Sequence, residues 1–134
     1  MKSKNITINV MAPLLVGTPT DMGGASSRQE VEQFKTLLRD AKARGVKGVS
    51  IDVWWGLVEL TEGNYTWGYY RQLFQLIIDA GLKVVPIIST HQCGGNVGDG
   101  KIFVPIPEWV WPKLAKMVPS GKVEAVQYVS EKGN

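Results

Sequence analysis

Three short apolar runs, at Ile6–Val10, Val46–Val53 and Lys83–Ile88, alternate with two stretches of helical periodicity. This alternation constrains the fold more than any other feature of the chain. Ile6-Thr7-Ile8-Asn9-Val10 alternates apolar and polar residues, reads as a first strand, and ends at Met11-Ala12-Pro13. Leu14 to Gly24 is a loop rich in Gly, Pro, Thr and Asp. Ser27 and Glu30 have the spacing of a capping box, and Val31, Phe34, Leu37, Leu38 and Ala41 follow at helical intervals. With Gly45 as the terminating glycine, a helix is expected over Arg28–Arg44. Val46–Val53 is the second strand, with Val49, Ile51 and Val53 on one face and Gly48, Ser50 and Asp52 on the other. Trp67, Tyr70, Phe74, Ile77 and Ile78 form a second helical stripe, closed by Gly81. Lys83–Ile88 is the third strand, although Pro86 lacks the N–H that a central strand would donate. Trp109–Met117 is expected to be a short helix with Pro112 in its first turns, and Val123–Ser130 leaves strand and amphipathic segment both open.

The order β-α-β-α-β, with strands starting at intervals of roughly forty residues, fits an α/β architecture, either a (β/α) barrel or a doubly wound sheet. A closed eight-unit barrel needs about 250 residues. The 134 residues of this chain therefore supply about the first three β/α units, and the third strand should leave an open edge. A doubly wound sheet could be complete at this length, since about 100–150 residues make a domain. In a barrel, Asp52 would project inward near the mouth of its strand, because the larger apolar face packs beneath the outer helices.

The bulk properties exclude several function classes. The chain is 44% hydrophobic and 20% charged, which suits a single globular core over residues 1–134. The net charge of +3 is scattered rather than run together, so a solvated surface is expected and a nucleic-acid-binding face is not. A single cysteine rules out an internal disulfide. No apolar run has the length of a membrane span, and the stretch from Ile6 to Val16 is broken by Asn9 and Pro13, so it does not read as a secretory signal. A cytoplasmic location is expected, or a secreted one if an upstream signal is missing.

The chemistry gathers at His91-Gln92-Cys93-Gly94-Gly95-Asn96-Val97-Gly98-Asp99, which follows the third strand and holds the only histidine and the only cysteine. Glycines at this density let backbone approach a ligand closely, and α/β proteins place their sites at the C-terminal ends of strands. Gly95 to Lys101 fits the start of a phosphate-loop pattern, but Ile102-Phe103-Val104-Pro105 supplies neither the hydroxyl for magnesium nor a helix N-terminus. A structural zinc site needs four ligands, and His91 and Cys93 have no further His or Cys to join them. Asp52 beside Trp54 and Trp55, together with Asp99 in the glycine loop, suits carbohydrate: carboxylates accept hydroxyl pairs and aromatic faces pack on sugar rings. His91 can donate to and accept from the same hydroxyls. Glu59, Glu62 and Glu108 are candidate general acids, but nothing around them in sequence argues for a raised pKa, so solvated or structural roles are expected.

Four segments in order resemble the β-amylases, the inverting glycoside hydrolases of family 14. They are Val10-Met11-Ala12-Pro13-Leu14, then Ile51-Asp52-Val53-Trp54-Trp55-Gly56-Leu57-Val58-Glu59, then Pro86-Ile87-Ile88-Ser89-Thr90-His91-Gln92-Cys93 leading into Gly94-Gly95-Asn96-Val97-Gly98-Asp99, and Val104-Pro105-Ile106-Pro107-Glu108-Trp109-Val110. The resemblance implies a (β/α)8 barrel that releases β-maltose from the non-reducing ends of starch. It implies substrate contacts from Asp52, His91 and Asp99, with Asp99 on a lid whose glycines give it hinge freedom. Cys93 matches a cysteine near the pocket that confers thiol sensitivity without acting as a nucleophile. The expected partners are starch, maltodextrin or maltose, with no nucleic acid and no membrane. No cofactor is expected, although some bacterial members bind calcium after the second strand, and Glu59 would match one ligand. The family's acid and base are two glutamates about 6.5–9.5 Å apart, as inversion requires. Both belong to later barrel units, so no catalytic residue is expected before Asn134, and the chain reads as an inactive N-terminal portion. The alternative is a non-catalytic, β-amylase-like carbohydrate-binding or sensor module.

Overall fold

The structure, a computed structural model, describes residues 6–94 and 102–127. In chain order its elements are β1 (Asn9–Met11), α1 (Ala25–Ala43), β2 (Gly48–Trp54), α2 (Trp55–Val58), α3 (Gly68–Asp79), β3 (Lys83–Ser89), α4 (Val110–Ala115) and a 3-10 turn at Val123–Ala125. They fall into two compact units, residues 1–53 with 67–88, and residues 54–66 with 89–134.

The first unit holds a parallel three-stranded sheet in the order β1-β2-β3. β1 pairs with β2 in the register Asn9 to Gly48, Val10 to Val49 and Met11 to Ser50. β1 is shorter than the alternation at Ile6–Val10 suggests and starts later. The ladder begins where β2 offers a partner, and Ile6 and Ile8 are exposed. β2 follows its expected parity: Val49, Ile51 and Val53 are buried, and Ser50 and Asp52 on the other face are half-buried. A Cβ at Gly48 would lie 2.7 Å from the Asn9 side-chain oxygen, which can turn away, and 3.1 Å from the Lys83 carbonyl oxygen, which is backbone. Pro86 is tolerated because β3 is an edge strand of this sheet, where a missing donor need not break a ladder on both sides.

Both long helices form at the expected places, but each buries a narrower stripe than the periodicity suggests. On α1, Phe34 and Leu38 are buried while Leu37 stays exposed. On α3 the buried line is Tyr69, Tyr70, Leu73 and Ile77, while Ile78 and Trp67 remain exposed. Gly81 adopts φ +72° just after the C-terminus of α3, the left-handed conformation that ends helices on glycine.

The expected capping box is not one. α1 starts at Ala25 with Gly24 as its N-cap and no side-chain cap. Ser27 and Glu30 instead hold the loop that follows β1. The Thr18 amide donates to Ser27 Oγ at 2.8 Å, and the Gly17 amide donates to Glu30 Oε2 at 2.9 Å. The neighbouring Val16 amide donates to Tyr69 Oη at 2.9 Å, so three consecutive N–H groups are held by side chains of α1 and α3. The spacing is that of a local cap, but tertiary partners claim the same two side chains.

In the second unit α4 is shorter than Trp109–Met117, with Pro112 in its first turn, where its missing N–H costs nothing. Val123–Ala125 forms a single 3-10 turn, and the rest of the Val123–Ser130 stretch past Gln127 lies outside the described residues.

Candidate functional site

Asp52 belongs to the first unit. It sits two residues before the end of β2, half-buried, on the face it shares with Ser50. The apolar alternation of Val49, Ile51 and Val53 fixes that orientation, since a shift of one residue would bury the carboxylate.

His91 belongs to the second unit and is exposed. The buried Trp54 ring meets its imidazole edge-on, with centroids 5.4 Å apart and planes at 78°. Gln92 Nε2 donates to the Gly94 carbonyl at 3.2 Å. Cys93 and Val104 then exchange both backbone hydrogen bonds, at 2.9 and 2.8 Å, and close the stem of the glycine loop. Only glycine fits at Gly94: its φ is +88°, and a Cβ would lie 2.1 Å from the Ile102 carbonyl oxygen. Asp99 and the phosphate-loop-like stretch from Gly95 to Lys101 lie outside the described residues.

The glutamates divide sharply. Glu59 is buried, at 5% exposure. Its Oε2 accepts the Trp55 indole N–H at 2.7 Å and its Oε1 accepts the Gly63 amide at 2.8 Å. Its backbone carbonyl accepts the Trp109 indole N–H at 3.0 Å. The Trp55 indole and then the Gly63 amide hold the Glu59 carboxyl below its ordinary value against the opposing effect of burial, with smaller contributions from the Tyr65 hydroxyl and the Lys113 charge. Glu62 pairs with Lys113 at the surface, and Glu108 is exposed. Glu59, its carboxyl held below the ordinary value, is not set up as a proton donor, which needs a raised one.

Around Glu59 the second unit is tightly knit. The Trp55 and Trp109 rings meet edge to face, with centroids 5.7 Å apart. The backbone at Gly56 runs so close to Pro105 that a Cβ would lie 1.9 Å from its carbonyl oxygen. The sequence reading missed this cluster. The signal available was the i, i+4 spacing of Trp55 and Glu59, which puts donor and acceptor one helical turn apart.

The sequence model of glycosyl hydrolase family 14 matches residues 9–132. The chain belongs to that family. It is 44% identical over 108 residues to the chloroplastic β-amylase 1 of Arabidopsis thaliana, covering 78% of this chain and 18% of the relative. It is 42% identical over 114 residues to the thermophilic β-amylase of Thermoanaerobacterium thermosulfurigenes, covering 84% of this chain and 19% of that protein. The chain thus spans about a fifth of the length of these curated relatives. Among solved structures it resembles the catalytic domain of the β-amylase from Paenibacillus polymyxa, with a TM-score of 0.65 and 39% identity over 80% of this chain and 23% of that one.

Within the family 14 frame, Glu59 is the one described residue considered as a calcium ligand. Its surroundings do not fit that role. A calcium ion needs 6–8 converging oxygens. Here the groups aimed at the carboxylate are N–H donors, whose polarity opposes a cation, and the nearby Glu62 carboxylate is turned to Lys113. Among the described residues no group of three or more His, Cys, Asp or Glu is placed to hold a metal ion. No helix among them is long and apolar enough to cross a membrane.

Proposed function

We propose that this family 14 chain serves starch hydrolysis of the β-amylase type, forming the first three β/α units of a (β/α)8 barrel and supplying contacts to the non-reducing end of an α-1,4-glucan. In this reading Asp52, His91 and Asp99 bind sugar hydroxyls, and maltose leaves by an inverting reaction. The observation that carries the reading is the edge contact between Trp54 and His91, in a chain this similar to named β-amylases. It seats the exposed imidazole, which can donate to and accept from sugar hydroxyls, against a buried tryptophan. The acid and base come from barrel units beyond these three, which accords with a low rather than raised pKa at Glu59 and with the commitment of Glu62 to Lys113. Apolar side chains exposed along the strands, including Met11 on β1 and Ile87 and Ile88 on β3, are the surface that adjoining units would cover.

The test is maltose titration of the purified chain followed by tryptophan fluorescence, together with an assay of sugar release from soluble starch. Maltose should quench or shift the emission, and Asp52→Ala and His91→Ala should each weaken binding by about tenfold or more, the loss of a hydrogen-bonded contact. An unresponsive wild-type chain would sink the binding reading. Release of β-maltose by the chain alone would overturn the assignment of the acid and base to other units.

A further inference from the structure

We infer that Glu59 is a positioning residue, the clamp that sets the stem of the glycine loop carrying His91. The inference deepens the proposed sugar site, and rests on it only for the loop's purpose. The geometry runs from the clamp to the stem in four steps within the second unit. The Glu59 carboxylate ties the α2 turn to the turn at Gly63 through Trp55 Nε1 and the Gly63 amide. The Glu59 carbonyl holds the Trp109 indole, and the two tryptophans lock edge to face. Gly56 rests against the Pro105 carbonyl with no room for a side chain. Val104, the residue before Pro105, is 1% exposed and forms the paired backbone bonds with Cys93 that close the stem.

The titratable side chains on the segments around Glu59 are Glu62, Tyr65, Glu108 and Lys113. Of these, Tyr65 and Lys113 act on the carboxylate, while Glu62 is paired with Lys113. A buried carboxylate with an N–H on each oxygen is a fixed strut, because breaking it leaves buried polar groups unpaired. Pro105 and Pro107, which follow Val104, have no N–H and cannot extend the bridge.

The experiment is amide and indole hydrogen exchange by NMR on the 15N-labelled chain. Glu59→Ala should release the Trp55 indole and Gly63 signals and speed exchange at Cys93 and Val104 by tenfold or more. Glu59→Gln keeps an acceptor oxygen and should restore most of the Cys93 and Val104 protection. Trp55→Phe keeps the ring and removes the donor. It should loosen the same two amides while Phe34 and Ile77 in the first unit stay protected, which separates loss of the clamp from failure to fold. Glu62→Ala should leave Cys93 and Val104 unchanged. Calcium chloride should move none of these signals, and a shift centred on Gly63 and Trp55 would overturn the clamp in favour of a cation site. Wild-type exchange at Cys93 and Val104 in folded Trp55→Phe would also overturn it. Maltose titration of the same samples tests the sugar reading separately, since a chain blind to maltose would still be judged on exchange alone.

Discussion

The two strand-exit loops of this chain are held by opposite means. After β1, the backbone amides of Val16, Gly17 and Thr18 are each gripped by a distant side chain, Tyr69, Glu30 and Ser27. After β3, Cys93 and Val104 are joined by a backbone pair, and the Gln92 side chain donates to the Gly94 carbonyl beside it. The first design pins every N–H of a short segment and leaves it a fixed wall. The second joins two segments through backbone bonds, and His91, two residues ahead of Cys93, is exposed.

The contrast breaks most sharply at Gly56. Gly56→Ala forces a methyl against the Pro105 carbonyl, which is backbone and cannot rotate away. We expect a loss of about 2–3 kcal/mol, at the upper end for overpacking, read in urea unfolding. Exchange at Cys93 and Val104 should rise while the Val16–Thr18 amides are unaffected. Next comes Tyr69→Phe, which strands the Val16 amide. A buried donor left unpaired costs about 1–3 kcal/mol, and the damage should be confined to the first unit.

How much of this was legible in sequence depends on how local the cause is. The parity of Val49, Ile51 and Val53 follows from the two-residue repeat of any strand, so Asp52 was placed on its face from sequence alone. Gly81 ended α3 as read, because a helix end needs only its own φ. Ser27 and Glu30 have the spacing of a capping box, yet their partners lie at Thr18 and Gly17, in a loop folded back by tertiary contacts. The same blindness hid Glu59. Its indole partner lies one turn back in sequence, but its carbonyl serves Trp109, fifty residues on, and no periodicity reports such a pair.

The two loops should also fail at opposite ends of the pH scale. Burial raises the Tyr69 phenol above its ordinary value, with the nearby Glu30 charge adding to the effect and the Val16 amide opposing it. The unfolded chain would therefore lose that proton first, and the stability Tyr69 gives should be lost as pH climbs above about 10. Glu59 is shifted the other way. Its contribution is present above the ordinary carboxylate pKa and should be lost as pH falls through the lowered folded value, below about 4.5. Thermal melts across pH should show Tyr69→Phe flattening the alkaline limb and Glu59→Gln flattening the acid one. An acid limb unchanged in Glu59→Gln would assign it to other carboxylates.

The smallest effect is expected where the second unit is most visibly charged. Lys113 pairs with Glu62 and lies 5.5 Å from the centre of the Trp109 ring. Both charged side chains are about half exposed, at 54% and 51%, so water competes for each of them. Exposed ion pairs contribute about 0–1 kcal/mol and an exposed cation over an aromatic ring about 0.5–1 kcal/mol. Lys113→Met keeps much of the apolar stem, so we expect a loss under about 1 kcal/mol that shrinks further in 0.5 M salt. A larger loss, accompanied by faster exchange at Cys93 and Val104, would mean that Lys113 rather than Glu59 holds Trp109 in place. The stem at Cys93 and Val104 would then be held electrostatically, and its exchange would depend on ionic strength in a way that the buried carboxylate clamp does not predict.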